Sequence, residues 1–238
     1  MNLAIDIGNT KTKIGFFKED RLESTETFNS LLELNHFLNS KKIDAVIISS
    51  VNLSYEDILK ELKNLKNPIL LNHQTNLPFK NEYKSTTIGL DRIAAVAGAQ
   101  ALHPEENTLT IDLGTCITYE VLEKGNIYHG GAISPGLHMR FKSMHNFTAR
   151  LPLVKPEPID AYIANNTIGA MQSGVVFGIQ AEIEAYIQVV KRKYSPLTTI
   201  ITGGDAKFFE SKIKAPIFAI PELVLVGLNA ILRYNVSN

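Results

Sequence analysis

Residues Leu3 to Phe17 read LAIDIGNTKTKIGFF, in which apolar residues lead into Asp6 and a Gly8-Asn9-Thr10 turn follows. Gly-Asn is turn chemistry, because both residues tolerate the positive φ of a tight hairpin. A carboxylate ending a buried strand, then a small-residue turn with free backbone N–H groups, suits a metal-bound polyphosphate. The amides bond phosphate oxygens, and the carboxylate holds the cation or its waters. One such hairpin is equally an ordinary capped turn. This chain writes the pattern twice: Ile5-Asp6-Ile7-Gly8 recurs as Ile111-Asp112-Leu113-Gly114, and Thr12 recurs as Thr118. Positions 9 and 10 become Thr115 and Cys116, again small. A repeat of this kind bears on the whole fold.

Four further stretches have candidate chemistry. Gly89-Leu90-Asp91-Arg92 sets an acid beside a base at a predicted helix start, where successive residues diverge by about 100° and can touch two ends of a substrate. A plain helix start, with Asp91 favoured by the dipole and Arg92 solvated, is the better reading of these four residues alone. Gly130-Gly131-Ala132-Ile133-Ser134-Pro135-Gly136 is a glycine-rich turn into a helix, suited either to backbone approach by a ligand or to helix entry. Asn166 to Gly174 opens a helix with polar and small residues, which capping and close packing also explain. Thr202-Gly203-Gly204-Asp205 follows an apolar strand and fits a flat purine or a sharp capped turn.

The elements that must position these residues are also written twice. Strands are predicted at about 3–8, 12–18, 22–28, 44–50 and 69–72, with helices at 31–39, 55–65 and 91–102. The helix at 55–65 begins with Ser54 and Asp57 in capping-box spacing and carries Ile58, Leu59, Leu62 and Leu65 on one stripe. Strands at 107–113, 116–123 and 126–132 repeat the order, then a helix near Pro135, a long helix from Thr167 to Lys193, strands at 198–202 and 216–219, and a last helix from Pro221. The expected fold class is α/β. It comprises two ribonuclease-H-like domains, 1–104 and 105–238, whose Asp-x-Gly hairpins face each other across a cleft that closes on a triphosphate. This is the arrangement of the acetate kinase, sugar kinase, Hsp70 and actin superfamily.

With 238 residues, 45% of them hydrophobic, the chain can bury a sizeable core. Equal totals of 24 basic and 24 acidic residues argue against nucleic acid or an anionic membrane as partner. No apolar run approaches the roughly 20 residues of a membrane span. The start lacks the pattern of a signal peptide, and a lone Cys116 excludes an internal disulfide. The expectation is a soluble, cytoplasmic protein. There is no G-x-x-x-x-G-K-[ST] phosphate loop, and the six histidines lack metal-motif spacing, with His138 and His145 expected on a solvated helix face. Cys116 reads as a packing residue, since no base adjoins it.

Taken in order, Asp6-x-Gly8-Asn9-Thr10, Gly89-x-Asp91-Arg92, Asp112-x-Gly114-Thr115, Gly130-Gly131-x-Ile133-x-Pro135-Gly136, Asn166-Thr167-x-x-Ala170-x-x-Ser173-Gly174 and Thr202-Gly203-Gly204 resemble the motif series of type III pantothenate kinases. The resemblance spans nearly the whole chain. It implies transfer of the ATP γ-phosphate to pantothenate at the entry to coenzyme A synthesis, with Mg²⁺ on the phosphates. By that likeness Asp6, Ile7, Gly8, Asn9, Thr10, Lys11, Thr12, Lys13 and Thr115 bind ATP. Tyr83, Gly89, Leu90, Asp91, Arg92 and Thr167 bind pantothenate. Asp91 is the proton acceptor, and Asp112 binds a monovalent cation, K⁺ or NH₄⁺. The family's dimers make the helix at Thr167 a candidate homodimer interface. Two departures stand out: Tyr83 sits one residue nearer Gly89 than the family's tyrosine and lacks its following proline, and Cys116 replaces the usual alanine. Another small-molecule kinase of the superfamily, or a non-catalytic regulator of the same fold, are the alternative readings.

Overall fold

The computed structural model describes residues 1–9, 11–51, 53–159 and 161–236. The chain forms two compact units. The first comprises Met1–Glu105, Gly125–Tyr128 and the chain from Glu222 onward; the second comprises Glu106–Lys124 and His129–Pro221. Against a single boundary after residue 104, the C-terminal helix therefore goes with the first unit.

In the first unit β1 (Asn2–Ile7), β2 (Thr12–Lys18) and β3 (Arg21–Phe28) form an antiparallel meander. Next come α1 (Leu31–Leu38), β4 (Ala45–Ser50), α2 (Tyr55–Glu61) and β5 (Ile69–Leu70), giving the sheet order β3-β2-β1-β4-β5 with β4 and β5 parallel to their neighbours. Alternation decides the faces. Leu3, Ile5, Ile7, Ile14 and Phe16 point to the side covered by Leu34, Leu38, Ile58 and Leu62 of the first two helical segments. On the other side the small Ala4 and Gly15, register partners, admit a helix closely: a Cβ on Gly15 would lie 3.4 Å from the Leu225 side chain.

That helix is the last of the chain, Leu223–Val236, and it runs against a second one, Leu90–Leu102. Their crossing is set by two glycines. A Cβ on Gly227 would sit 1.7 Å from the Ala94 carbonyl, and one on Gly98 would sit 2.3 Å from the Leu223 carbonyl. The chain also pairs β6 (Lys80–Asn81), in parallel, with Ile127 and Tyr128.

In the second unit β7 (Asn107–Leu113), β8 (Cys116–Glu123) and β9 (Ile127–Pro135), the last continuing from those two residues, are followed by α4 (Leu137–Asn146), α5 (Thr167–Lys193), β10 (Leu197–Thr202), α6 (Ala206–Glu210) and β11 (Phe218–Ala219). The neighbours run β11-β10-β7-β8-β9, the first unit's order over again. We label Leu90–Leu102 α3 and Leu223–Val236 α7. The core lies between the sheet and α5, with Leu109, Ile111, Leu113 and Ile201 facing Val176, Ile179, Ile183 and Ile187. The predicted duplication is thus a duplication of topology.

Three local expectations change. The helix after Ser54 ends at Glu61, short of 65, and Leu59 is 41% exposed while Ile58 and Leu62 are buried. Pro135 ends β9 rather than entering a helix; Gly136 is the N-cap and Leu137 the first helical residue. The two hairpins also differ by one residue. Ile7 pairs with Thr12, leaving a four-residue connection, whereas Leu113 pairs with Ile117, leaving three. Asp6 therefore faces Lys13, while Asp112 faces Thr118, so Thr12 and Thr118 are not equivalent despite equal spacing. Among the described residues no helix is long and apolar enough to cross a membrane.

Candidate functional site

In the first unit, the Gly8 amide donates to the Lys11 carbonyl (3.1 Å) and closes the first hairpin, with Asn9 and Lys11 exposed at its tip. Thr10 lies outside the described residues. Thr12 shares the core face with its partner Ile7 and is 5% exposed, so its hydroxyl is not presented at the tip. Asp6 projects from the opposite face, beside Lys13 on one neighbouring strand and Ser49 on the other. The Asp6 carboxyl is raised from 3.8 to about 6, chiefly by burial and next by the Asp91 carboxylate, with Lys13 opposing the shift. Asp6 and Asp91 therefore share one electrostatic environment. The Ser49 hydroxyl next to Asp6 is buried with no hydrogen-bond partner among the described residues.

Asp91 is placed by the start of α3. Gly89, in extended conformation, is the N-cap and has no side chain to cap with. Its service is space: a Cβ there would lie 2.4 Å from the Asp91 Oδ1. That oxygen accepts from the Arg92 amide at 2.8 Å, so the carboxylate folds back over the helix start. Arg92 is only 6% exposed, which overturns the solvated-arginine reading of the helix start. Its guanidinium lies 5.3 Å from the Tyr83 ring centroid, a cation–π distance. Tyr83 in turn stacks on the fully buried Tyr128, with centroids 6.3 Å apart and planes at 11°. The shortened spacing before Gly89 therefore still brings Tyr83 to the arginine. Pairing of Lys80–Asn81 with Ile127–Tyr128, and a bond from the Tyr83 amide to Asn81 Oδ1 (2.9 Å), hold the segment in that position.

In the second unit, Asp112 is enclosed by glycines. Gly203, with φ of +95°, comes so close that a Cβ would lie 2.3 Å from the Asp112 Oδ1, and one on Gly114 would lie 3.2 Å from it. The Asp205 amide donates to the Leu113 carbonyl (2.9 Å), tying the Thr202–Asp205 turn to the strand end. Asp205 itself makes no side-chain cap, and burial raises its carboxyl against the opposing His138, 3.6 Å away. Gly114 donates to the Cys116 carbonyl (3.2 Å), which leaves Thr115 exposed at the tip. His138 and His145 are both exposed.

Thr167, the first residue of α5, is exposed and not part of the Asp112 cluster. Asn166 caps that helix by accepting from the Gly169 amide at 2.9 Å. Exposed apolar side chains surround the entry in sequence: Tyr162 66%, Ile163 91% and Ile168 54%.

The structure thus gathers Asp6, Lys13, Tyr83, Gly89, Asp91 and Arg92 in the first unit, and Asp112, Thr115 and the Gly203 turn in the second. Sequence reasoning missed Tyr128 and Ser49. An aromatic just after the Lys124-Gly125-Asn126 turn was the available signal for the former; the latter had none. A buried Asp6 carboxyl whose proton affinity is raised by burial and by the nearby Asp91 carboxylate is a donor that a divalent cation relieves, and Mg²⁺ is commonly held by one or two carboxylates plus substrate phosphates. Among the described residues no group of three or more His, Cys, Asp and Glu side chains is assembled for a metal.

A sequence model of the type III pantothenate kinase family matches residues 2–189. The type III pantothenate kinase of Cytophaga hutchinsonii is 43% identical over 237 residues, covering 99% of this chain and all of that one. A solved structure described as a conserved putative Baf family transcriptional activator from Campylobacter jejuni is 26% identical, with a TM-score of 0.63 over 99% of this chain and 100% of that one. A ROK family glucokinase from Streptomyces griseus, in complex with glucose and AMPPNP, is 13% identical with a TM-score of 0.52, over 98% of this chain and 99% of that one. The last likeness is one of fold alone.

Proposed function

We infer the reaction from the type III pantothenate kinase family, to which this chain belongs: it transfers the γ-phosphoryl group of ATP to the hydroxyl of pantothenate, giving 4'-phosphopantothenate in the first step of coenzyme A biosynthesis. Phosphoryl transfer asks a protein mainly for positioning and charge neutralisation. Backbone amides of residues 6–13, with the side chains exposed at the hairpin tip, bind the phosphates, as does Thr115. Mg²⁺ held at Asp6 with the phosphates supplies charge neutralisation when bound. Asp112, in its glycine enclosure, is the seat of a monovalent cation, K⁺ or NH₄⁺.

The observation that carries the division of labour is the cluster at the start of α3. Arg92, buried and held under Tyr83, presents a fixed cation for the pantothenate carboxylate. Asp91, one residue earlier and about 100° around the helix, faces the other end of the substrate and accepts the proton of its hydroxyl. Gly89 and Leu90 line the approach. Thr167 completes the pantothenate site of a second copy in a homodimer, for which the exposed Tyr162, Ile163 and Ile168 supply apolar contact. Neither nucleic acid nor membrane is a partner, and the enzyme works in the cytoplasm.

The test is purified protein with Mg-ATP and K⁺ over pantothenate, sugars, acetate and glycerol. Turnover of pantothenate alone is expected. Phosphorylation of another substrate in its place would defeat the assignment, and no turnover of any would favour the regulatory role named for the Campylobacter structure.

A further inference from the structure

Behind the second hairpin stands a polar network whose charged members, Arg140 and Glu182, lie outside every site motif. The Pro135-Gly136 corner lies directly against the hairpin: the Gly136 amide donates to the Thr115 carbonyl (3.1 Å), and a Cβ at 136 would sit 2.3 Å from the Gly114 carbonyl oxygen and 2.5 Å from that of Thr115. The other side of the corner is gripped by Arg140, one turn into α4. Its Nε donates to the Pro135 carbonyl (2.8 Å), and its Nη2 donates to Ser134 Oγ (2.8 Å) and to Glu182 Oε2 on α5 (2.5 Å). Glu182 is fully engaged. Ser134 Oγ donates to its Oε2 (3.1 Å) and the Tyr119 hydroxyl donates to its Oε1 (2.8 Å), while Tyr119 stacks on Tyr186 of the same helix at 4.1 Å. Burial pushes the Glu182 carboxyl up, but the bonds from Arg140, Tyr119 and Ser134 outweigh it and hold the group below its ordinary value.

We propose that Arg140 and Glu182 are positioning residues for the nucleotide: through the Pro135-Gly136 corner they fix the backbone of Thr115 where it meets the ATP phosphates. Three of the donor contacts of Arg140 fall on residues 134 and 135 and on the carboxylate behind them, so the guanidinium fork acts on the corner rather than on the general core. Both charged side chains keep about a fifth of their surface exposed (21% and 23%), so the pair is not a deeply buried ion pair on which folding of the unit would hinge. The hairpin tip is a three-residue connection with Thr115 exposed, and the corner meets it at the carbonyls of Gly114 and Thr115.

This rests on the reading of Thr115 as an ATP contact, so Thr115→Ala is measured alongside. The variants are Arg140→Lys, which keeps the charge but loses the fork, and Glu182→Gln, which keeps the shape and loses the charge. Each is expected to weaken Mg-ATP binding by calorimetry, and to raise KM for ATP, roughly five- to thirty-fold, as fits the loss of one or two charge-assisted hydrogen bonds. KM for pantothenate should stay within about two-fold, with the melting temperature little changed and the double variant less than the product of the two singles. Equal rises in both KM values, or a lowered melting temperature with unchanged ATP affinity, would show a merely structural network and overturn the proposal. If Thr115→Ala weakens ATP binding and neither network variant does, the positioning role alone fails. If Thr115→Ala has no effect, the hairpin reading fails and the proposal with it.

Discussion

Asp6→Asn should make the ligand-free protein more stable, by an amount that vanishes in acid. Asp6 is held in the folded chain near pH 6 against an ordinary 3.8, chiefly by burial and then by the field of Asp91. The native state thus binds the proton more tightly than the unfolded state, so stability is lost as pH rises from about 4 to about 6 and is level above. A shift of about two units corresponds to about 3 kcal/mol at most, and because Asp6 retains some exposure we expect about 1–3 kcal/mol. Asparagine keeps the shape without the charge and escapes this penalty. For a chain of this size the gain corresponds to roughly 2–12 °C in melting temperature at pH 7.5.

Thermal melts of both proteins at pH 7.5 and near pH 4, without nucleotide or divalent metal, measure it. At the lower pH the wild-type carboxyl is mostly protonated, so the two curves should nearly coincide. Adding Mg-ATP at pH 7.5 should then raise the wild-type melting temperature and leave the variant nearly unmoved, reversing their order. An Asp6→Asn protein no more stable than wild type at pH 7.5, or one whose advantage persists unchanged near pH 4, would refute the reasoning. Stability is given up at Asp6 for a charge that only the ligand complex uses.

Asp91→Asn keeps size and hydrogen bonding but cannot accept a proton, so kcat should fall roughly 10²–10⁴-fold with calorimetric ATP affinity nearly unchanged; a near-normal kcat would clear Asp91 of the role. Replacing K⁺ by Na⁺ at matched ionic strength should lower activity, and Asp112→Asn should blunt that difference; equal rates in the two salts would count against a cation at Asp112. Light scattering should give a homodimer, and mixing Asp91→Asn with Thr167→Ala protein under subunit exchange should restore some activity, whereas a stable, fully active monomer would end the shared-site idea.

The sequence made the large-scale plan legible because topology follows alternation and punctuation, and both were written twice. The order of strands and helices in each unit and the long α5 stand as expected, since each element rests on an apolar period that burial enforces. What did not transfer was register. Equal spacing put Thr12 and Thr118 at one offset from their aspartates, yet one extra residue in the first connection turns Thr12 to the core and brings Lys13 opposite Asp6. A strand's period is two, so a one-residue difference in a turn exchanges faces, and no count of residues along the chain reveals it.

The helix start at Gly89 shows the complementary limit. Read along the chain, Asp91-Arg92 is an ordinary pair at a helix N-terminus, and a solvated arginine is the sensible expectation. The setting of α3 and of the ring that Arg92 meets is fixed from far away in sequence. Tyr128, beyond β8, stacks under Tyr83, and Gly98 and Gly227 let α7 close on α3. An arginine drawn into that setting loses water and takes an aromatic face in exchange, which fixes its direction before any substrate arrives. Such preorganisation favours one anionic group at one distance from Asp91. The specificity of this kinase is therefore expected to reside in the packing that buries Arg92 as much as in the G-x-D-R residues themselves.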